Sequence, residues 1–132
     1  MTPRLALIAV VLTHLAITSI HGRAHEGAHV PLSFAGTLFV YIVILAGPLV
    51  GLALSRWRPR AGAWIVALTM AGALVFGLIN HFLIDGSDHV ANVAAAWRSL
   101  FGATAVLLLL SEAAGVVIGM WAASAARSAV GD

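Results

Sequence analysis

The sequence predicts an all-α integral membrane protein built as a bundle of four transmembrane helices. Of its 132 residues, 61% are hydrophobic and 9% are charged, against roughly 25% charged residues in an ordinary soluble domain. The apolar residues form four long runs that are separated by short polar connectors. A helix needs roughly 20 apolar residues to cross a bilayer, and the last three runs meet that length. The chain length fits one domain over residues 1–132.

Each apolar run predicts one helix, and polar or turn-forming residues separate them. Pro59 prevents the second run from continuing as helix, and Asp85 with Gly86 has turn chemistry. The first run is the shortest and could be a cleaved signal peptide behind Arg4, but His14 inside it favours a retained helix. The expected helices cover about residues 5–21, 32–55, 62–84 and 97–125.

The arginines predict how these helices are oriented. Arg56, Arg58 and Arg60 lie in the second connector, and positively charged connectors stay in the cytoplasm. Both termini are then cytoplasmic, and the first and third connectors lie outside. The seven basic residues are spread along the chain, which fits membrane topology and predicts no nucleic-acid partner. We expect a protein of the bacterial inner (plasma) membrane that contacts lipid, as a homodimer or within a larger membrane complex.

Histidines concentrate in the two connectors that are predicted to lie outside. The stretch HGRAHEGAH (21–29) carries three of them at i, i+4 spacing, although Gly22 and Gly27 disfavour a helix there. With no cysteine in the chain, only imidazole and carboxylate groups could hold a metal, and these suit zinc, copper(II) or iron. The sequence therefore predicts a metal site at the extracytoplasmic face. Its candidate ligands are His21, His25, His29, His81, Asp85, Asp88 and His89.

Two further ionisable residues fall inside the predicted hydrocarbon region. An ionisable group at the centre of a membrane helix costs about 2.5–3.5 kcal/mol on insertion scales, so His14 and Glu112 need a function or a buried partner. If their helices touch, the two side chains could share a proton or a hydrogen bond. Glu112 could equally be structural, bonded to a backbone carbonyl. Because b-type cytochromes hold haem between histidines on facing helices, His14 and His81 also form a candidate haem b pair.

Three classes of function follow from these patterns. The first is a metal- or haem-binding protein that acts as a small redox protein or metal-dependent membrane enzyme. The second is an ion- or proton-coupled transporter in which His14 and Glu112 form the step inside the membrane. The third is an accessory subunit of a membrane complex without chemistry of its own. The sequence assigns no catalytic residue.

Overall fold

The computed structural model describes residues 1–128 and contains helices but no strands over that range. Four of the helices are long and apolar enough to cross a membrane, which confirms the predicted helical fold. A short 3-10 turn, Val90–Asn92, lies in the connector before the last of them. Insertion in a membrane and the orientation of the termini stay predictions. The four helices are α1 (Pro3–Gly27), α2 (Phe34–Leu54), α3 (Pro59–Leu83) and α4 (Ala95–Ser128).

Helix α1 continues well beyond residue 21, where the sequence predicts its end. Ala24 is fully buried and packs in a small apolar cluster with Phe101 of α4. This packing outweighs the cost of a glycine in a helix, about 0.5–1 kcal/mol at Gly22. As a result, His21 and His25 lie one turn apart on the same face of a helix, and not in a loop.

The residue that ends α1 is His29, whose φ of 54° places it in the left-handed region. Its backbone N–H donates to the carbonyl of Glu26 (3.2 Å), and the N–H of Val30 donates to the carbonyl of His25 (3.1 Å). These two bonds form a Schellman motif, which satisfies the last carbonyls of a helix. His29 therefore reverses the chain at the end of α1.

Glycines at G-x-x-x-G spacing in α2 (Gly47, Gly51) and α4 (Gly115, Gly119) allow the helices to approach closely. A β-carbon on Gly51 would lie 2.9 Å from the carbonyl oxygen of Gly62 on α3, and one on Gly119 would lie 2.9 Å from that of Ala63. Around these contacts, a dense apolar cluster fills the end of the bundle that carries the N-terminus. It comprises Leu7, Val10, Val11, Ala63, Val66, Met70, Ala122 and Ala123.

Two of the four long helices contain a π-helical stretch. In α2 it covers Val40–Ala46 and ends just before Pro48. In α3 it covers Ile79–Leu83, the last turn, and includes His81. Such stretches are frequent at functional sites because they redirect side chains. The antiparallel order of the helices brings the ends of α1 and α3 and the start of α4 together at one end of the bundle.

Candidate metal centre

Three imidazole rings meet at that end of the bundle. Helix α1 supplies His21 and His25, and the π-helical turn of α3 supplies His81; one ring nitrogen from each lies within 4.8 Å of the other two. His21 and His81 are buried, at 6% and 5% exposure. The ring of Phe101 packs against all three, with centroid distances of 4.7, 4.8 and 5.2 Å. The cluster is therefore compact and walled on one side by an aromatic ring.

The proton on His21 can be assigned from its neighbour on α4. Nδ1 of His21 lies 2.8 Å from the hydroxyl oxygen of Thr104. That hydroxyl donates its single hydrogen to the carbonyl of Leu100, at 2.7 Å. The oxygen of Thr104 is therefore an acceptor for His21, whose Nδ1 carries the proton. The neutral ring then presents an unprotonated Nε2 to the cluster.

The same assignment holds for the other two rings. Nδ1 of His25 donates to the carbonyl of Val30 at 3.4 Å, and Nδ1 of His81 donates to the carbonyl of Asp88 at 3.2 Å. Carbonyl oxygens only accept, so Nδ1 of His81 carries its proton. His25 faces an acceptor at each nitrogen, and its bond to Val30 places the proton on Nδ1. Each neutral ring thus has its lone pair on Nε2.

These lone pairs face groups that cannot donate to them. The Nε2 atoms of His21 and His81 are 3.2 Å apart. Nε2 of His25 lies 3.3 Å from Oδ1 of Asp88, a buried oxygen without a hydrogen-bond partner. A cation between these acceptors would relieve their mutual repulsion. Two imidazoles on one tetrahedral ion, with metal–nitrogen bonds of about 2.0–2.1 Å, stand about 3.3 Å apart, which the His21–His81 distance matches.

Asp88 is the fourth predicted ligand that reaches the cluster. Its Oδ1 lies 3.1 Å from Nδ1 of His81, on the far side of that ring from Nε2. A carboxylate in this position fixes the orientation of a metal-binding imidazole and increases its basicity. Asp88 therefore contacts both His81 and His25 from one short connector.

The other predicted ligands have different roles, which narrows the predicted set. His29 is exposed and ends α1. Oδ1 of Asp85 accepts a hydrogen bond from the amide of Asn92 at 2.7 Å, which braces the connector. Nδ1 of His89 accepts the N–H of Ala91 and so caps the 3-10 turn. The connectors are rich in polar residues partly because polar side chains hydrogen-bond the backbone of their turns.

Deeper in the bundle, the structure brings His14 and Glu112 together. Nε2 of His14 donates to the carbonyl of Ile44 at 3.2 Å. Pro48, four residues later, has no N–H and cannot make the usual helical bond to that carbonyl. Nδ1 of His14 faces Oε1 of Glu112 at 3.9 Å, too far for a hydrogen bond. Both side chains are buried, at 0% and 2% exposure, and within residues 1–128 neither Nδ1 of His14 nor Oε2 of Glu112 has a hydrogen-bond partner.

The haem pair that the sequence allows gains no support from this geometry. His14 directs its nitrogens at Ile44 and Glu112, whereas His81 directs its nitrogens at His21 and Asp88. Neither imidazole has a nitrogen aimed toward the other. The candidate centre is therefore a metal-ion site, and His14 belongs to a separate polar pair.

A cavity of about 360 Å³ connects the two polar groups. The three clustered histidines and Asp88 line one part of it, and Glu112 lines another. A β-carbon on Gly77 would lie 3.8 Å from the ring of His81 and 3.9 Å from Oε2 of Glu112, so little more than a side chain separates them. The remaining wall is largely apolar and includes Val40, Tyr41, Ile44 and Leu45 of α2 and Phe76 of α3.

Sequence reasoning missed the groups that orient the histidines. Thr104 and Phe101 lie in an apolar run and resemble ordinary membrane-helix residues, and the carbonyl of Val30 leaves no trace in a side-chain pattern. The role of Thr104 cannot be predicted from its position in α4, because it depends on where α1 packs. Comparison of the chain with protein-family models, curated proteins and solved structures finds no match.

Proposed function

We propose that this protein is a membrane protein that holds one divalent transition-metal ion, of the zinc, copper or iron class, between His21, His25 and His81. The observation that carries the proposal is the 3.2 Å distance between the Nε2 atoms of His21 and His81. Both lone pairs point into that gap, because both Nδ1 protons are held by acceptors. A metal ion would convert this repulsion into two coordinate bonds.

A bound metal explains the cluster better than a shared proton does. A proton could join one pair of rings, but it would leave the lone pair of the third histidine facing Asp88. A metal ion takes all three nitrogens at once. Acceptors on the outer nitrogens, namely Thr104, a backbone carbonyl and Asp88, are also the usual partners of metal-bound imidazoles.

The number of protein ligands favours a reactive site over a structural one. Structural zinc sites are closed by four protein ligands, whereas catalytic sites keep three and leave one position for water or substrate. The backbone carbonyl of Asp88 accepts from the outer nitrogen of His81, and its carboxylate lies on that outer side of the ring. The three imidazoles are therefore the ligands that share one gap, and the cavity borders them. We therefore favour a metal-dependent membrane enzyme or redox protein in which a small molecule reaches the metal from the cavity.

The arginine distribution supports an extracytoplasmic position for this centre. The basic connector 56–60 lies at the opposite end of the antiparallel bundle from the histidines. Under the positive-inside rule, the histidine end then faces outward. A homodimer or a larger complex stays a prediction, as does the role of an accessory subunit.

A transporter is the second candidate, and the buried pair of His14 and Glu112 favours it. An ion pathway needs ionisable groups inside a membrane; here each group has one polar atom without a partner among the described residues, and Glu112 lines the cavity. Beyond the pair, however, Val11, Val66 and Met70 are fully buried in the apolar cluster that fills the rest of the bundle. This packing indicates that the cavity is closed at its inner end and does not continue as a path through the bundle.

Metal analysis of the purified protein in lipid nanodiscs tests the proposal. We expect about one equivalent of zinc or cobalt(II) after loading and desalting, and loss of that metal in His21→Ala, His25→Ala and His81→Ala. His29→Asn is the matched control, because asparagine also tolerates the left-handed conformation and this histidine lies outside the cluster. Metal retained by all three alanine variants would refute the proposal.

A further inference from the structure

The cavity beside the histidines has the chemistry of a ligand site. Its volume of about 360 Å³ falls within the range of roughly 300–1,000 Å³ that is typical of small-molecule sites. Polar groups are confined to one wall, formed by the histidines, Asp88 and Glu112, while α2 and Phe76 supply an apolar wall. A molecule that fills this space needs one polar part and one apolar part.

The mouth of the cavity lies between two membrane helices. The exposed residues on its rim are Ser19 and Gly22 of α1 and Tyr41 of α2. Tyr41 is 63% exposed and sits within the apolar span Phe34–Leu54. In a bilayer this rim faces lipid, and a ligand that enters here comes from the membrane.

Charge decides the kind of polar head that fits. A divalent ion held by three neutral imidazoles keeps its two positive charges, and Asp88 balances one of them. An anionic oxygen donor would balance the other and fill the open coordination position. Oε2 of Glu112 is buried without a partner among the described residues, and it could accept a hydrogen bond from an N–H or O–H group of the same head.

We infer that the cavity binds a single-chain amphiphile from the lipid phase, with its oxygen head on the metal and its apolar chain along α2. This inference rests on the proposed metal centre and names its ligand class. It assigns a role to Val40, Ile44 and Leu45, which supply no metal ligand. It also explains why the apolar wall is left open beside a polar cluster.

Alkyl hydroxamates test the inference, because one metal-binding head can carry chains of different length. The cobalt(II)-loaded protein in nanodiscs of one lipid composition is titrated with acetohydroxamate and with octanohydroxamate, and the visible cobalt spectrum reports binding. Leu45→Trp and Val40→Phe narrow the apolar wall. Leu49→Trp is the control, since Leu49 is exposed on the same helix and lies outside the cavity.

We expect octanohydroxamate to bind at least tenfold more weakly to Leu45→Trp or Val40→Phe than to the native protein or Leu49→Trp. Each methylene that loses its place in the cavity is worth about fourfold, from about 0.8 kcal/mol per buried methylene. Acetohydroxamate should bind all four proteins alike. The long chain partitions into the same lipid in every titration, so partition does not affect the comparison between variants.

The remaining outcomes separate this inference from the metal centre. If cobalt binds but neither narrowed variant discriminates between the two hydroxamates, the amphiphile site is refuted and the metal centre stands. If the native protein gives no cobalt spectrum before any hydroxamate is added, the proposed function fails and this inference fails with it. If one of the two narrowed variants does not bind cobalt, the comparison is made with the other narrowed variant.

Discussion

The Nε2 atoms of His21 and His81 lie 3.2 Å apart although the residues are 60 positions apart in the chain. Helix α1 carries one and the last turn of α3 carries the other, and Thr104 and Asp88 hold their outer nitrogens. Both lone pairs therefore point into the same gap. This relationship underlies the proposed metal centre and the first two predictions.

Replacing Thr104 with valine should weaken metal binding without removing a ligand. The variant keeps the shape of the side chain but takes away the acceptor for Nδ1 of His21, which then loses its fixed orientation. Loss of such an outer partner typically costs about 10–100-fold in metal affinity. A competition titration with a coloured zinc chelator measures it. Thr69→Val is the control, since its hydroxyl bonds only to carbonyls of its own helix; equal affinities would contradict the assigned role.

Asp88→Asn should also reduce metal affinity, by about 10–100-fold, because it removes the negative charge beside His81 and His25. Asp85→Asn is the matched control in the same connector, where the side chain only accepts a bond from Asn92. Isothermal titration with zinc compares the two variants. The interpretation fails if Asp85→Asn weakens binding as much as Asp88→Asn does.

The pair of His14 and Glu112 can be tested for a structural role by measuring stability. Glu112→Leu should leave the thermal unfolding midpoint unchanged or raise it, because Glu112 makes no hydrogen bond to His14 at 3.9 Å and an unpartnered buried group costs free energy. His14→Phe should destabilise the protein by about 1–3 kcal/mol, since it leaves the carbonyl of Ile44 without a donor.

Thermal unfolding in one detergent, followed by circular dichroism, compares both variants with the native protein. A clear loss of stability in Glu112→Leu would show that Glu112 is a structural residue. An unchanged unfolding midpoint in His14→Phe would show that the carbonyl of Ile44 does not need a hydrogen bond from this histidine.

Helix packing gives a prediction that does not depend on a metal. Gly119→Ala should destabilise the bundle by about 1–3 kcal/mol, because the added methyl would lie 2.9 Å from the backbone oxygen of Ala63. Gly22→Ala should have no such cost and should gain up to about 1 kcal/mol of helix propensity, since nothing lies within 4 Å of its added methyl. Thermal unfolding in detergent compares the stability of the two variants. A Gly119→Ala variant more stable than Gly22→Ala would contradict the described packing.

The fold could be predicted from the sequence because composition and run length depend on no tertiary contact. Four apolar runs with few charges allow little besides a helical bundle in lipid. The end of α1 could not be predicted in the same way. Glycine and histidine in the stretch 21–29 suggest a loop, and the helix persists there because Ala24 packs into a buried cluster with Phe101.

The sequence predicts the residue types of the candidate site, but it does not distinguish the residues that lie in the cluster from those that lie outside it. The sequence brings His21, His25, His81 and Asp88 to the same end of the bundle, and the structure brings them into contact. It could not separate them from His29, because histidines that cap turns and histidines that face a cluster look alike in a sequence. Only the path of the backbone distinguishes the two roles.

The most direct test of the central claim is X-ray absorption at the zinc edge of the zinc-loaded protein in nanodiscs. We predict three imidazole nitrogens at about 2.0–2.1 Å with an oxygen donor completing the shell, and no zinc retained by His21→Ala. A spectrum with one imidazole or none, or zinc that is lost on desalting from the native protein, would contradict the account.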